Sequence, residues 1–169
     1  MQSEKVFNAL NDQMNYEFYS AHQYLATAAY CSHESLDGFA NFFLVQAEEE
    51  RFHAMKFYHF INDLGGRATI TSMGEPKNEF TSVLDAFKVS LEHEKEVTRR
   101  IHQLADLAME ERYHPMMTFL NWFIEEQVEE EASFEKLIDR IKRIDNDTNS
   151  LDQLDIELGK RTFSPEDEE

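Results

Sequence analysis

The sequence predicts an all-α fold: a bundle of four long helices with one long crossover and a short fifth helix near the C-terminal end. Three observations lead to it. Among 169 residues there are only 5 Gly and 3 Pro, whereas sheets consume both in their turns. These few breakers cluster, so four long stretches run uninterrupted. Each stretch repeats apolar residues at alternating steps of three and four, the period of a helix that turns one face to a core.

No Gly or Pro occurs before Gly38, and the first stretch predicts a helix over about 4–33. A second helix, about 39–64, ends where Gly65 suits a left-handed cap. Gly65, Gly66, Gly74 and Pro76 mark the crossover, and a third helix follows over about 79–109. Pro115 suits the first turn of a fourth, about 115–144. Ser150 with Gln153 forms a capping-box signature ahead of a fifth, about 151–159. The links near 34–38 and 110–114 are short enough to join only antiparallel neighbours. Residues 66–78 instead extend to about 43 Å, against about 39 Å for a 26-residue helix, so they span the bundle and leave helices two and three parallel. One domain over 1–160 is expected, with 161–169 as an acidic tail and no internal repeat.

A net charge of -18 repels phosphate backbones and anionic membranes, which argues against nucleic acid and membrane partners. The opening MQSEKVFNAL has no basic stretch followed by an apolar one, and nowhere do 18 apolar residues run together. A soluble, cytoplasmic protein is the expectation. Cys31 stands alone and reads as a small apolar residue.

The stripes are interrupted in their middles. The first reads Phe7, Leu10, Met14, Glu17, Ala21, Tyr24, Ala28; the second Phe39, Phe43, Gln46, Glu50, His53, Phe57, Phe60, Leu64. The third carries Glu94 between Leu91 and Thr98, and the fourth carries Gln127 and Glu130 between Phe123 and Phe134. Glu17, Glu50, His53, Glu94, Gln127 and Glu130 lie near their helices' midpoints, so packing brings them to one level. A lone Glu on an apolar stripe more often snorkels to water, but four at one height require a common cause. Carboxylates that converge in a dry interior must be protonated or neutralised by cations. Two divalent cations balance four carboxylates, and His53 completes the set as a neutral nitrogen donor. The spacing E-x-x-H alone carries little weight, since 23 Glu and 7 His predict about one occurrence by chance. The chain has two, and Glu111 with His114 falls at a predicted turn. Tyr24 lies two turns from Glu17 on the same seam, within reach of the site. Oxygen-rich coordination with one imidazole favours iron or manganese over structural zinc, and iron is the choice on chemistry, because two Fe(II) ions can each give an electron to dioxygen.

The segments NDQMNYEFYSAHQYLA around Glu17, QAEEERFHAMKFYHFIND around Glu50 and His53, VTRR after Glu94 and FLNWFIEEQVEEE through Gln127 and Glu130 resemble those of the bacterial non-haem ferritins, with similarity over about residues 5–160. The resemblance implies a ferritin-like bundle that stores iron and oxidises Fe(II) with dioxygen. Glu17 and His53 would bind one iron, Glu50 would bridge, and Glu94 and Glu130 would bind the second, with Gln127 hydrogen-bonding near the dioxygen position. It also implies a third iron site at Glu49, Glu126 and Glu129 with Glu130 shared, although periodicity alone reads those glutamates as solvated faces. Tyr24 and Trp122 match aromatics beside the site that lend electrons.

Departures separate related di-iron proteins. Ribonucleotide-reductase-like and bacterioferritin-like chains use a second E-x-x-H on the fourth helix, where Gln127, Val128, Glu129 and Glu130 stand here. Bacterioferritins place a haem-binding Met beside the histidine ligand; here the neighbour is Phe52 and Met55 is out of register, so no haem is expected. Rubrerythrins need more than one Cys, and mini-ferritins set their ligands between subunits. Members of the family assemble as hollow shells of about two dozen identical subunits with the fifth helix at the fourfold axis. A discrete di-iron oxidase acting on an organic substrate is the alternative function.

Overall fold

The computed structural model describes residues 3–165. Its helices are α1 (Glu4–His33), α2 (Asp37–Asp63), α3 (Val83–Glu110), α4 (His114–Ile144) and α5 (Thr148–Leu158), with no strand among the described residues. α1 packs along α2 and α3 along α4, making two antiparallel hairpins, while α5 rests on α2 and α4. The expected class and element order hold, with two shifted starts. α3 begins at Val83 rather than near 79, because Ser82 Oγ accepts from Asp85 N (3.0 Å) while Asp85 Oδ2 accepts from Thr81 N (3.0 Å), which fixes the cap there. Phe80 is nonetheless buried, against Tyr30. α5 begins at Thr148, three residues early, because the cap is Asp147 and not Ser150: Asp147 Oδ1 accepts from Asn149 N and its other oxygen from Ser150 Oγ.

The three hairpin and crossover turns share one closure. After α2, Gly66 N donates to Ile61 O and Gly65 N to Asn62 O, with Gly65 at φ 78. The same pair of bonds closes α1 around Ser35 (φ 61) and α3 around Arg112 (φ 50), where a side chain occupies the left-handed region.

The crossover is tied to α1 by amide side chains. Asn11 donates to Arg67 O and accepts from Thr69 N; Asn15 donates to Thr69 O and accepts from Thr71 N; Gln23 does the same for Lys77 O and N. Residues 67 to 77 therefore climb beside α1 in its own direction, and α3 starts at the end of the bundle where α2 started. Parallel α2 and α3 follow.

α5 closes that end. A Cβ at Gly38 would lie 1.6 Å from Asp155 O, so only glycine lets the backbones of α2 and α5 meet. No side chain of α2's own caps its first turn; Asp155 Oδ1 does so by accepting from Phe39 N (2.9 Å).

The apolar interior is in two parts. One, around Tyr24, Phe39, Phe43, Phe87 and Phe134, reaches Leu154 and Leu158 of α5. The other, around Leu10, Met14, Phe57, Ile101, Leu120 and Phe123, fills the opposite end. Between them lies a buried polar layer of Gln13, Glu17, Gln46, Glu50, His53, Glu94, Gln127 and Glu130.

Candidate metal centre

Every helix of the bundle contributes to this layer at mid-length. Glu17 comes from α1, Glu50 and His53 from α2, Glu94 from α3, Gln127 and Glu130 from α4. Glu50 and His53 share a face because three residues make nearly one turn. Glu17, Glu50 and Glu94 are wholly buried and His53 is 1 % exposed.

Two ligand groups emerge. One oxygen each of Glu17 and Glu50 and one ring nitrogen of His53 lie within 4.8 Å of one another, as do one oxygen each of Glu50, Glu94 and Glu130. Glu50 belongs to both, as a bridge between two positions must. His53 Nδ1 stands 3.4 Å from Glu50 Oε2 and 3.9 Å from Glu17 Oε2. Glu17 Oε2, Glu50 Oε2 and both His53 ring nitrogens are buried without a hydrogen-bond partner among the described residues. Orphaned polar atoms of this kind are costly in a dry interior, and a hard or borderline divalent cation satisfies Glu17 Oε2, Glu50 Oε2 and the His53 Nδ1 that faces them. The donor set fits a metal pair.

The other carboxylate oxygens are held by the protein. Gln13 Nε2 donates to Glu17 Oε1 (2.8 Å), and Gln46 Nε2 donates to Glu50 Oε1 (3.3 Å) and Glu130 Oε2 (2.8 Å). Tyr24 donates to Glu94 Oε1, and Gln127 Nε2 to Glu94 Oε2 (3.1 Å) and Thr98 Oγ1 (3.2 Å). Gln13 and Gln46 are themselves oriented by arginines: Arg100 Nε donates to Gln13 Oε1 (2.9 Å) and an Arg161 guanidinium nitrogen to Gln46 Oε1 (3.0 Å). Each glutamine is thus forced to present its NH2 to the ligands, an arrangement of outer partners that fixes ligand geometry. The His53 ring is walled by Trp122 (5.3 Å) and Phe123 (5.9 Å), with Lys56 over Trp122.

Charge crowding shows in the acidities. Burial, then the charges of Glu94, Glu17 and Glu130, push Glu50 well above the carboxylate range. Burial and the charges of Glu94 and Glu49 do the same to Glu130. Glu94 rises to about 7, burial outweighing the bonds from Tyr24 and Gln127 that favour its ionised form.

All six mid-stripe residues expected at the site meet here, and Tyr24 touches it. Glu49, Glu126 and Glu129 enter neither group. Glu49 is buried against Arg161 (2.9 Å), Glu126 contributes to the charge around Glu130, and Glu129 is exposed. Glu111 and His114 are exposed at their turn. Sequence reasoning missed Gln13, Arg100 and Arg161. The glutamines had a signal, since Gln13 and Gln46 each precede a ligand Glu by four residues, whereas the arginines act across 87 and 115 residues.

The ferritin-like domain family matches residues 7–144. A bacterial non-heme ferritin of Staphylococcus aureus is 51% identical over 166 residues, covering 98% of this chain and all of that protein, and its Staphylococcus haemolyticus counterpart is 48% identical over the same length. Among solved structures, an Archaeoglobus fulgidus ferritin engineered into a closed form is 43% identical with a TM-score of 0.96, over 97% of this chain and all of that one. An open-pore ferritin from the same archaeon gives 43% and 0.94, over 96% of this chain and all of that one. Matched by the family model over residues 7–144, and by a half-identical relative over nearly its full length, the chain belongs to the ferritin family, beside the bacterial non-haem ferritins.

Proposed function

We propose that this protein stores iron and is itself the ferroxidase: a subunit that takes up two Fe(II) ions, oxidises them with dioxygen, and passes ferric oxyhydroxide to the interior of a multi-subunit shell. The single observation that carries the reading is the buried polar layer, in which two ligand groups share Glu50 and aim unpartnered donor atoms inward. Glu17 and His53 hold one ion, Glu94 and Glu130 the other, and Glu50 bridges. Four carboxylates balance two Fe(II) ions. Each ion gives up one electron to dioxygen, and the two added positive charges then exceed what the carboxylates neutralise, which favours uptake of oxygen anions and departure of the product. Gln127 and Tyr24 keep Glu94 oriented from either side, and Tyr24 and Trp122 are the aromatics placed to lend electrons.

Glu49, Glu126 and Glu129, with Glu130 shared, form a third iron position toward the surface. No haem takes part, and the working form is a cytoplasmic homo-oligomer of about two dozen subunits with α5 at its fourfold axis. No described helix is long and apolar enough to cross a membrane. An oxidase for an organic substrate is less well supported, because the ligands are sealed from solvent.

Aerobic addition of Fe(II), with Fe(III) absorbance and particle size followed together, tests the proposal. Rapid oxidation by a large particle is expected; a small species that turns over no iron would sink it. Glu129→Ala should alter later turnovers or oxygen stoichiometry and spare the first fast phase.

A further inference from the structure

Arg161 follows α5, yet its guanidinium reaches the metal layer. Its nitrogens donate to Phe42 O (3.1 Å), Gln46 Oε1 (3.0 Å) and Glu49 Oε2 (2.9 Å), and the group lies over the Phe42 ring at 4.3 Å. Four contacts fix it, and two residues later Phe163 packs on Phe52 (5.9 Å). The same surface groove that holds Arg161 is lined by Glu129. A permanent cation therefore sits on a carboxylate assigned above to the third iron position.

We propose that Arg161 is a tethered counter-cation with two opposed effects: it competes with a third divalent ion for Glu49, and through Gln46 it strengthens the inner pair. The inference rests on the third-position reading. Glu49 is 8 % exposed and needs a positive partner; Arg161 supplies one until a metal ion takes over. A divalent ion and a guanidinium on neighbouring oxygens of one carboxylate repel, so loading the third position loosens Arg161. Arg161 also consumes the Gln46 carbonyl, which turns the amide NH2 toward Glu50 Oε1 and Glu130 Oε2 and leaves Glu50 Oε2 free for metal. Losing Arg161 frees that amide to rotate. Third-ion occupancy and inner-pair affinity are thereby coupled with negative sign through one side chain.

The test is calorimetric titration of the assembled, iron-free protein with Zn(II), which needs no oxidation to read. Arg161→Met is expected to tighten the third ion roughly tenfold and to weaken the inner pair about fivefold. Arg161→Lys, which keeps the charge, should hold the third ion near its wild-type affinity. A merely structural arginine would weaken both classes together in Arg161→Met, and that result, or an unchanged third ion, overturns the proposal. Glu129→Gln separates the two readings. If a third ion binds the wild type, is lost in Glu129→Gln and ignores Arg161→Met, the counter-cation role alone fails. If no third ion binds the wild type or Arg161→Met, the third position fails and takes this inference with it.

Discussion

Glu50 serves both ligand groups, and burial with three neighbouring carboxylates raises its affinity for protons. The pH dependence of the metal-free protein follows in sign. Glu94 moves from an ordinary 4.5 to about 7 on folding, so between those values the native state holds a proton that the unfolded chain has lost. Stability of the iron-free form should fall as pH rises through that window, and Glu50 and Glu130, shifted in the same direction, extend the fall above it. Denaturant unfolding at pH 5.5 and 8 checks this; Zn(II) should abolish the slope by replacing the protons, and a metal-free protein more stable at pH 8 would contradict it. Glu50→Ala should remove rapid Fe(II) oxidation in stopped-flow measurements while fold and particle size persist. Gln13→Leu, which leaves the ligands in place but drops the bond to Glu17, should weaken Zn(II) binding by about 10- to 100-fold.

Among elements, the turns and the small fifth helix hold the local surprises. Arg112 is an exposed residue in the left-handed region at the end of α3. Arg112→Gly should raise stability by about 1 kcal/mol in thermal or denaturant unfolding, because glycine removes the Cβ strain of that conformation. Gly38→Ala acts in the other direction. Its methyl group would overlap the Asp155 carbonyl, so α5 must leave α2 and the Phe39 N–H must lose its carboxylate acceptor. Hydrogen exchange should show residues 148 to 158 deprotected while α1 to α4 stay protected. Helix existence and order were legible from periodicity and from Gly and Pro positions. The starts of α3 and α5 were less so, because Ser82 and Asp147 cap through local side-chain bonds that compete with equally plausible neighbours such as Ser150.

For the whole molecule, the buried polar layer was legible because it interrupts the apolar pattern of all four long helices at one height, a departure that a single chain displays without any partner sequence. Every interrupting residue, Glu17, Glu50, His53, Glu94, Gln127 and Glu130, proved buried in that layer. What the pattern did not carry was the support around it. Arg100 lies off the α3 stripe and Arg161 beyond the last helix, and their roles depend on the crossover and on α5 docking, which are tertiary outcomes. The crossover itself is held by Asn11, Asn15 and Gln23, polar residues on α1 that a core-facing stripe passes over.

The sharing of ligands between the two helical hairpins sets an order in time. Glu17, Glu50 and His53 all precede residue 64, whereas Glu94 and Glu130 belong to the later pair of helices. A ribosome that has released only α1 and α2 has already presented the histidine-containing trio, and the second trio is incomplete until translation has passed Glu130. The two groups are therefore completed in a fixed order during synthesis, the amino-terminal one first, although Trp122 and Phe123 of α4 close around its histidine only later.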